Sequence, residues 1–144
     1  MPGIVLTTDL SQESQRAFAP VKALAQKLGL TVTLFTVIED LPFEPTAGGL
    51  MAVYPDPEQV RRDWQKSLDD LADKFGRDVC TKVVLLEAAD VSRAIVDFAA
   101  KEKADYIAMA THGRSGLRRL LLGSVAEQIV RQAHVPLLLY PPAA

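Results

Sequence analysis

Residues 106–124, YIAMATHGRSGLRRLLLGS, run from a short apolar segment into a loop rich in glycine and arginine, and then into the start of a helical pattern. Tyr106 to Ala110 is apolar with little alternation, which predicts a strand covered on both faces. Four other short apolar runs occur, at Ile4 to Thr8, Thr31 to Ile38, Lys82 to Leu86 and Val135 to Tyr140. Between the runs the apolar period changes to that of a helix. From Ser11 to Leu28 it falls on Ala17, Phe18, Val21, Leu24, Ala25 and Leu28, and Gly29 offers a stop. Pro20 lies inside this stretch and predicts a lost backbone hydrogen bond and a bend. A longer, charged helix is predicted from Pro57 to Phe75, closed by Gly76. A third runs from Val91 to Glu102 with Ala94, Ile95, Phe98 and Ala99 on one face, and a fourth from Ser124 to His134. Strands alternating with helices predict an α/β fold: an open five-stranded parallel sheet with right-handed crossovers and helices on both faces.

The bulk properties agree with one domain spanning residues 1–144. With 49% hydrophobic and 24% charged residues the chain can build a core, and a net charge of −2 gives no basic field for nucleic acid. One cysteine, Cys80, excludes an internal disulfide framework and a cysteine-rich metal site; it reads as a small hydrophobe at a strand start. No His, Cys or carboxylate spacing predicts a protein metal site. Met1 to Leu6 lacks a signal-peptide pattern and no apolar run approaches the length of a membrane span, so the expectation is a soluble, cytoplasmic protein. Residues 39–56 form the one long irregular stretch.

In an open parallel sheet, ligands bind beyond the carboxyl ends of the strands where strand order reverses. That rule selects Thr8 and Asp9, Val37 to Asp40, and above all the loop from Thr111 to Ser124. The loop has glycines at 113, 116 and 123, ends at a helix N-terminus, and carries Arg114, Arg118 and Arg119 with no acid between Asp105 and Glu127. Each property favours an anion. Each also has a plainer reading. Ser124 with Glu127 fits a capping box, the arginines fit a solvated face, and the glycines fit simple turns. Asp9 fits an N-cap for the first helix with Gln12 in the reciprocal position. The loop matches neither the Walker A pattern nor the G-x-G-x-x-G fingerprint. Trp64 with Arg61, Arg62 and Lys66 reads as an ordinary amphipathic helix, and His134 as a histidine near a helix C-terminus.

The same residues carry a resemblance. Thr8-Asp9 with Ser11 nearby, Thr36-Val37-Ile38, and Met109-Ala110-Thr111-His112-Gly113 followed after nine residues by Gly123-Ser124 are similar to the universal stress protein family over essentially the whole chain. The family's nucleotide-binding branch carries G-x2-G-x9-G-[S/T]. Here Gly113, Gly123 and Ser124 match and Ala110 replaces the first glycine. A second departure is Ala89-Asp90-Val91, where the family often has Gly-x-Pro. The resemblance implies a Rossmann-like sheet of order 3-2-1-4-5, of the adenine nucleotide alpha hydrolase type. It implies that Asp9 and the Val37 backbone hold adenine, and that Thr7, Thr8 and the Ala110 position flank the ribose. Gly113, Gly123, Ser124 and the Val125 amide would take the phosphates, with Arg114 close by, and His112 is a further candidate nucleotide-binding residue. If position 110 needs positive φ, alanine costs about 1 kcal/mol; if it needs only close approach, one methyl is tolerated.

The resemblance implies a protein of stress response or signalling that binds ATP, ADP or AMP, with Mg²⁺ brought by the phosphates. It also implies a homodimer joined through the last strand, Val135 to Tyr140, an apolar edge open to pairing. No base or nucleophile is recognisable, so fast chemistry is not predicted. Two alternatives stand beside this reading: a dimeric interaction protein that has lost nucleotide binding, and a slow ATPase depending on His112 or Asp9.

Overall fold

The apolar runs become five parallel strands, and the stretches 4–7, 34–37 and 107–110 are buried on both faces. A computed structural model describes residues 3–40, 56–112 and 122–142. In chain order its elements are β1 (Gly3–Thr7), a 3-10 turn (Ser14–Ala17), α1 (Phe18–Leu28), β2 (Thr31–Glu39), α2 (Pro57–Phe75), β3 (Cys80–Ala88), α3 (Val91–Lys101), β4 (Tyr106–Ala110), α4 (Ser124–Gln132) and β5 (Leu137–Tyr140). The sheet order is β3-β2-β1-β4-β5, with every neighbouring pair parallel.

Alternation along the strands divides the core in two. Ile4 and Leu6 of β1 face α1 and α2, where they join Val21, Ala25, Leu68, Ala72 and Phe75. Val5 points to the opposite face, with Phe35, Ile95, Ala99, Ile107, Ala126 and Ile129. The ring of Phe18 meets Phe75 edge-on at 5.7 Å on the first face, and Phe35 stacks on Phe98 at 4.4 Å on the second. Cys80 is fully buried at the start of β3, where burial pushes its thiol pKa up; it is held as a small apolar residue.

The ends of α2 and the start of α3 follow local chemistry, and the start of α1 does not. Helix α2 opens on Pro57, its N-cap Asp56 accepts from the Glu58 N–H at 3.1 Å, and Gly76 closes it with φ 114°. In α3, Asp90 accepts from the Arg93 N–H at 3.1 Å. The exception is the predicted bent helix from Ser11 to Leu28. The chain instead makes a separate 3-10 turn and starts α1 at Phe18, which leaves Pro20 third in the first turn. A proline there loses no hydrogen bond, because the first-turn N–H groups have no helical partner. The expected bend is replaced by a break before the helix.

Leu68 is fully buried between α2 and the sheet. Leu68→Ala should lower unfolding free energy by about 2–5 kcal/mol in urea melts, the cost of lost burial plus a cavity. A second expectation concerns pH. The hydrogen bonds from Arg93 N–H and the Ser92 hydroxyl hold the Asp90 carboxyl below its ordinary value in the folded chain. A carboxyl depressed by folding stabilises above its unfolded pKa of about 3.9, and that gain is lost as pH falls through the folded value. The stability gap between the unaltered chain and Asp90→Ala should therefore narrow from neutral pH towards pH of about 3. A gap that stays constant would contradict the cap's charged role.

Candidate functional site

Strand β1 is flanked by β2 on one side and β4 on the other, so the crossovers leave it in opposite directions and open a crevice beyond its carboxyl end. A cavity of about 240 Å³ lies there. Thr7, Thr8 and Asp9 reach it from β1, Ser14 from the 3-10 turn and Val37 from β2. Val91 and Ile95 reach it from α3, Met109 to His112 from β4 and its exit, and Gly123 to Ala126 from the start of α4. Nine residues singled out in the sequence, Thr7, Thr8, Asp9, Val37, Ala110, His112, Gly123, Ser124 and Val125, line this one space. Gly113 and Arg114, with Arg118 and Arg119, lie outside the described residues.

The β1 exit is held by a directed chain of hydrogen bonds. The Leu10 N–H donates to Thr8 Oγ1 at 3.0 Å, and Ser14 Oγ donates to the Ser11 carbonyl at 2.7 Å. The hydroxyls of Thr8 and Ser14 are 2.7 Å apart. Ser14 has one proton and gives it to Ser11, so the Thr8 hydroxyl donates to Ser14. Thr36 Oγ1 adds a bond to the Thr8 carbonyl at 2.6 Å. Asp9 Oδ1 accepts from the Ser11 N–H at 2.9 Å and from the Ser11 hydroxyl. This Asx-type turn corrects the reading of Asp9 as N-cap of the first helix, since α1 begins after Ala17. Leu10 sits in the left-handed region at φ 69°, fixed between these bonds.

At the opposite wall Ala110 ends β4 in strand conformation, paired with Tyr140. The non-glycine residues with positive φ among those described are Leu10 and Lys103, so Ala110 bears no left-handed penalty. Its side chain adds one methyl to the cavity wall.

Gly123 is a glycine for close approach rather than handedness. Its φ is −69°, its N–H donates to the Thr111 carbonyl at 2.7 Å, and a Cβ there would stand 3.1 Å from that oxygen. The contact makes Gly123 the N-cap of α4 and leaves Ser124 as the first helical residue, with no side-chain cap bond at that end. The capping-box reading of Ser124 with Glu127 is therefore corrected. Glu127 pairs with Arg131 at 2.9 Å instead. The first N–H groups of α4 have no intrahelical partners, and Ser124, Val125 and Ala126 line the cavity.

The sequence reading missed Ser14, Val91, Ile95, Met109 and Ala126 as lining residues. Ser14 was hidden inside the overlong helix. Met109 flanks Ala110, which was selected, and strand alternation was the available signal. Val91, Ile95 and Met109 give the cavity an apolar side opposite the polar turn of Thr8, Asp9 and Ser14. Such a site suits a ligand with a flat apolar part and an anionic end. Among the described residues no group of three or more His, Cys, Asp or Glu side chains is placed to hold a metal ion.

Comparison with known proteins places this geometry. The model of the Universal stress protein family matches residues 2–141. Universal stress protein MJ0531 of Methanocaldococcus jannaschii is 34% identical over 137 residues, 94% of this chain and 79% of the relative. A universal stress protein solved in complex with cAMP shares the fold with a TM-score of 0.68 at 20% identity, over 99% of this chain and 98% of that one. A universal stress protein from Archaeoglobus fulgidus, solved in complex with dAMP, gives 0.67 at 20% identity, over 96% of this chain and 97% of the other. With the sheet order it builds and a family match running nearly end to end, the chain belongs to the universal stress protein family.

Proposed function

We propose that this chain binds an adenine nucleotide in the cavity between β1 and β4, and acts as a homodimer in stress response or signalling. The observation that carries the reading is the start of α4. Gly123 lets that helix end lie against the β4 exit, and neither Ser124 nor any other described side chain caps it. The residues of that open first turn, Ser124 to Ala126, line a cavity that Val91, Ile95 and Met109 make partly apolar. The cAMP and dAMP complexes of the two structural relatives support the same ligand class.

In this reading Asp9 and the Val37 backbone hold adenine, and Thr7, Thr8 and Ala110 flank the ribose. Gly113, Gly123, Ser124 and the Val125 amide receive the phosphates, with Arg114 beside them. The Thr8 hydroxyl proton is already given to Ser14, so Thr8 serves the ribose as an acceptor or by contact. ATP is the proposed ligand. The described lining offers one carboxylate, Asp9, so Mg²⁺ accompanies the phosphates as their counter-ion. A cytoplasmic location fits a chain in which no described helix is long and apolar enough to cross a membrane. The dimer forms through β5, an edge strand whose four residues are all partly buried.

Calorimetry with ATP, ADP, AMP and cyclic AMP should show binding, with ATP the tightest; no heat with any of them at millimolar ligand would reject the reading. Gly123→Val should weaken binding at least about tenfold, because its side chain must push α4 away from Thr111 and displace the amides. Its far-UV circular dichroism should stay close to that of the unaltered chain. Sedimentation at micromolar concentration should give the dimer mass, and a monomer there would reject the β5 interface.

A further inference from the structure

Ser92, the second residue of α3, is 1% exposed, and a buried hydroxyl has to find partners. It finds two. Its Oγ lies 2.8 Å from Asp90 Oδ1 and 2.6 Å from the side-chain amide of Gln128, which reaches over from α4. The second contact joins residues 36 apart in the chain. Among the described residues it is the one side-chain hydrogen bond between α3 and α4.

Proton count gives this bridge a direction. The hydroxyl has a single proton and a carboxylate only accepts, so the proton goes to Asp90, which also accepts from the Arg93 N–H. With its Oε1 turned to Ser92, the Gln128 amide would set a second acceptor on that one proton. The same amide carries an NH2 group, which donates to Ser92 Oγ once the amide is turned about. Hydrogen bonds then run from Gln128 through Ser92 to Asp90.

The bridge stands beside the cavity. Val91 and Ile95 of α3 form part of its wall, and Ser124, Val125 and Ala126 of α4 form another part. Ser92 and Gln128 line a second hollow of about 400 Å³, which shares Val91, Ser124 and Val125 with the first. Gln128 lies one helical turn beyond Ser124. Ile95, Ala126 and Ile129 share one apolar cluster across the two helices, but apolar contact is non-directional, whereas a hydrogen bond fixes distance and angle. Helix α4 is nine residues long, and its start is tied to β4 by the bond from Gly123 N–H to the Thr111 carbonyl. The bridge supplies a second directional tie, to α3.

We propose that Ser92 and Gln128 are positioning residues of the nucleotide site: their bridge sets the spacing of α3 and α4 at the cavity and holds the first turn of α4 in place for the ligand. The proposal rests on the nucleotide reading above. Its residues lie outside the glycine motif, and Asp90 falls in the stretch where this sequence departs from the family pattern.

Two measurements on the full chain test it: calorimetry with AMP at a temperature where each variant is folded, and amide hydrogen exchange. Ser92→Ala and Gln128→Leu should each weaken AMP about fivefold, and the double variant should lose no more than either alone. Ser92→Thr, which keeps the hydroxyl, should retain part of the affinity. In hydrogen exchange, the α4 amides from Glu127 onward should exchange about fivefold faster in both single variants, while Val5 and Leu6 of β1 keep their rates. A merely structural loss would speed α4 and β1 alike. Gln128→Glu should speed α4 as much as Gln128→Leu does, because a carboxylate cannot donate to Ser92. Unchanged AMP binding in both single variants, additive losses in the double variant, equal acceleration of α4 and β1, or a Gln128→Glu chain with unaltered exchange would overturn this proposal while leaving nucleotide binding intact. An unaltered chain that binds no AMP would overturn the nucleotide reading and this proposal with it. Should Ser92→Ala fail to fold, Gln128→Leu and Gln128→Glu, at an exposed residue, decide the matter.

Discussion

Strand β1 is hydrogen-bonded along both edges, to β2 and to β4, and its residues Ile4, Val5 and Leu6 are 0–2% exposed. A strand enclosed on four sides leaves only its ends open. At the carboxyl end the crossover helices diverge, because β2 and β4 lie on opposite sides of β1. The cavity is the direct result. It needs no dedicated subdomain, and it is walled by whatever residues the strands happen to present as they leave the sheet.

Leaving the sheet has a physical cost that the chain meets with side chains. Beyond Thr8, whose N–H still reaches the Phe35 carbonyl at 3.0 Å, the backbone has no ladder to join. Thr8, Asp9, Ser11 and Ser14 supply the missing partners, and their bonds hold Leu10 at a φ that leucine rarely adopts. Thr8, Asp9 and Ser14, which build this turn, also line the cavity, so rigidity of the turn and shape of the site are one property.

The opposite wall is set by a single close approach, Gly123 against the Thr111 carbonyl. It docks the N-terminus of α4 on the β4 exit, while Ala126 and Ile129 anchor the helix in the core. Serine in place of that glycine would bring a cap hydroxyl but also a Cβ within 3.1 Å of backbone oxygen. The chain keeps the glycine and has its serine one residue on, where Ser124 lines the cavity and does not cap the helix.

Elements whose signals are local in the chain were legible in the sequence. Helix α2 runs from Pro57 to Phe75 as expected, since Asp56-Pro57 and Gly76 act within one turn of the ends they define. Strand β4 matches residue for residue, because two-sided burial leaves a continuous apolar run. The failures were local signals overruled from a distance. Periodicity alone merged the 3-10 turn with α1, and the S-x-x-E spacing made Ser124 a cap that the approach of Thr111 assigns to Gly123. Ser14 and Ile95 carry no motif, and only the tertiary fold brings them to one cavity. Sequence by itself determined the strand–helix alternation and most of the residues at the site, because hydrophobic period and turn chemistry act over a few residues. Tertiary structure decided which polar groups are spent on the fold, as the Thr8 and Ser14 hydroxyls are at the β1 exit, because hydrogen-bond partners are set by what folding brings near.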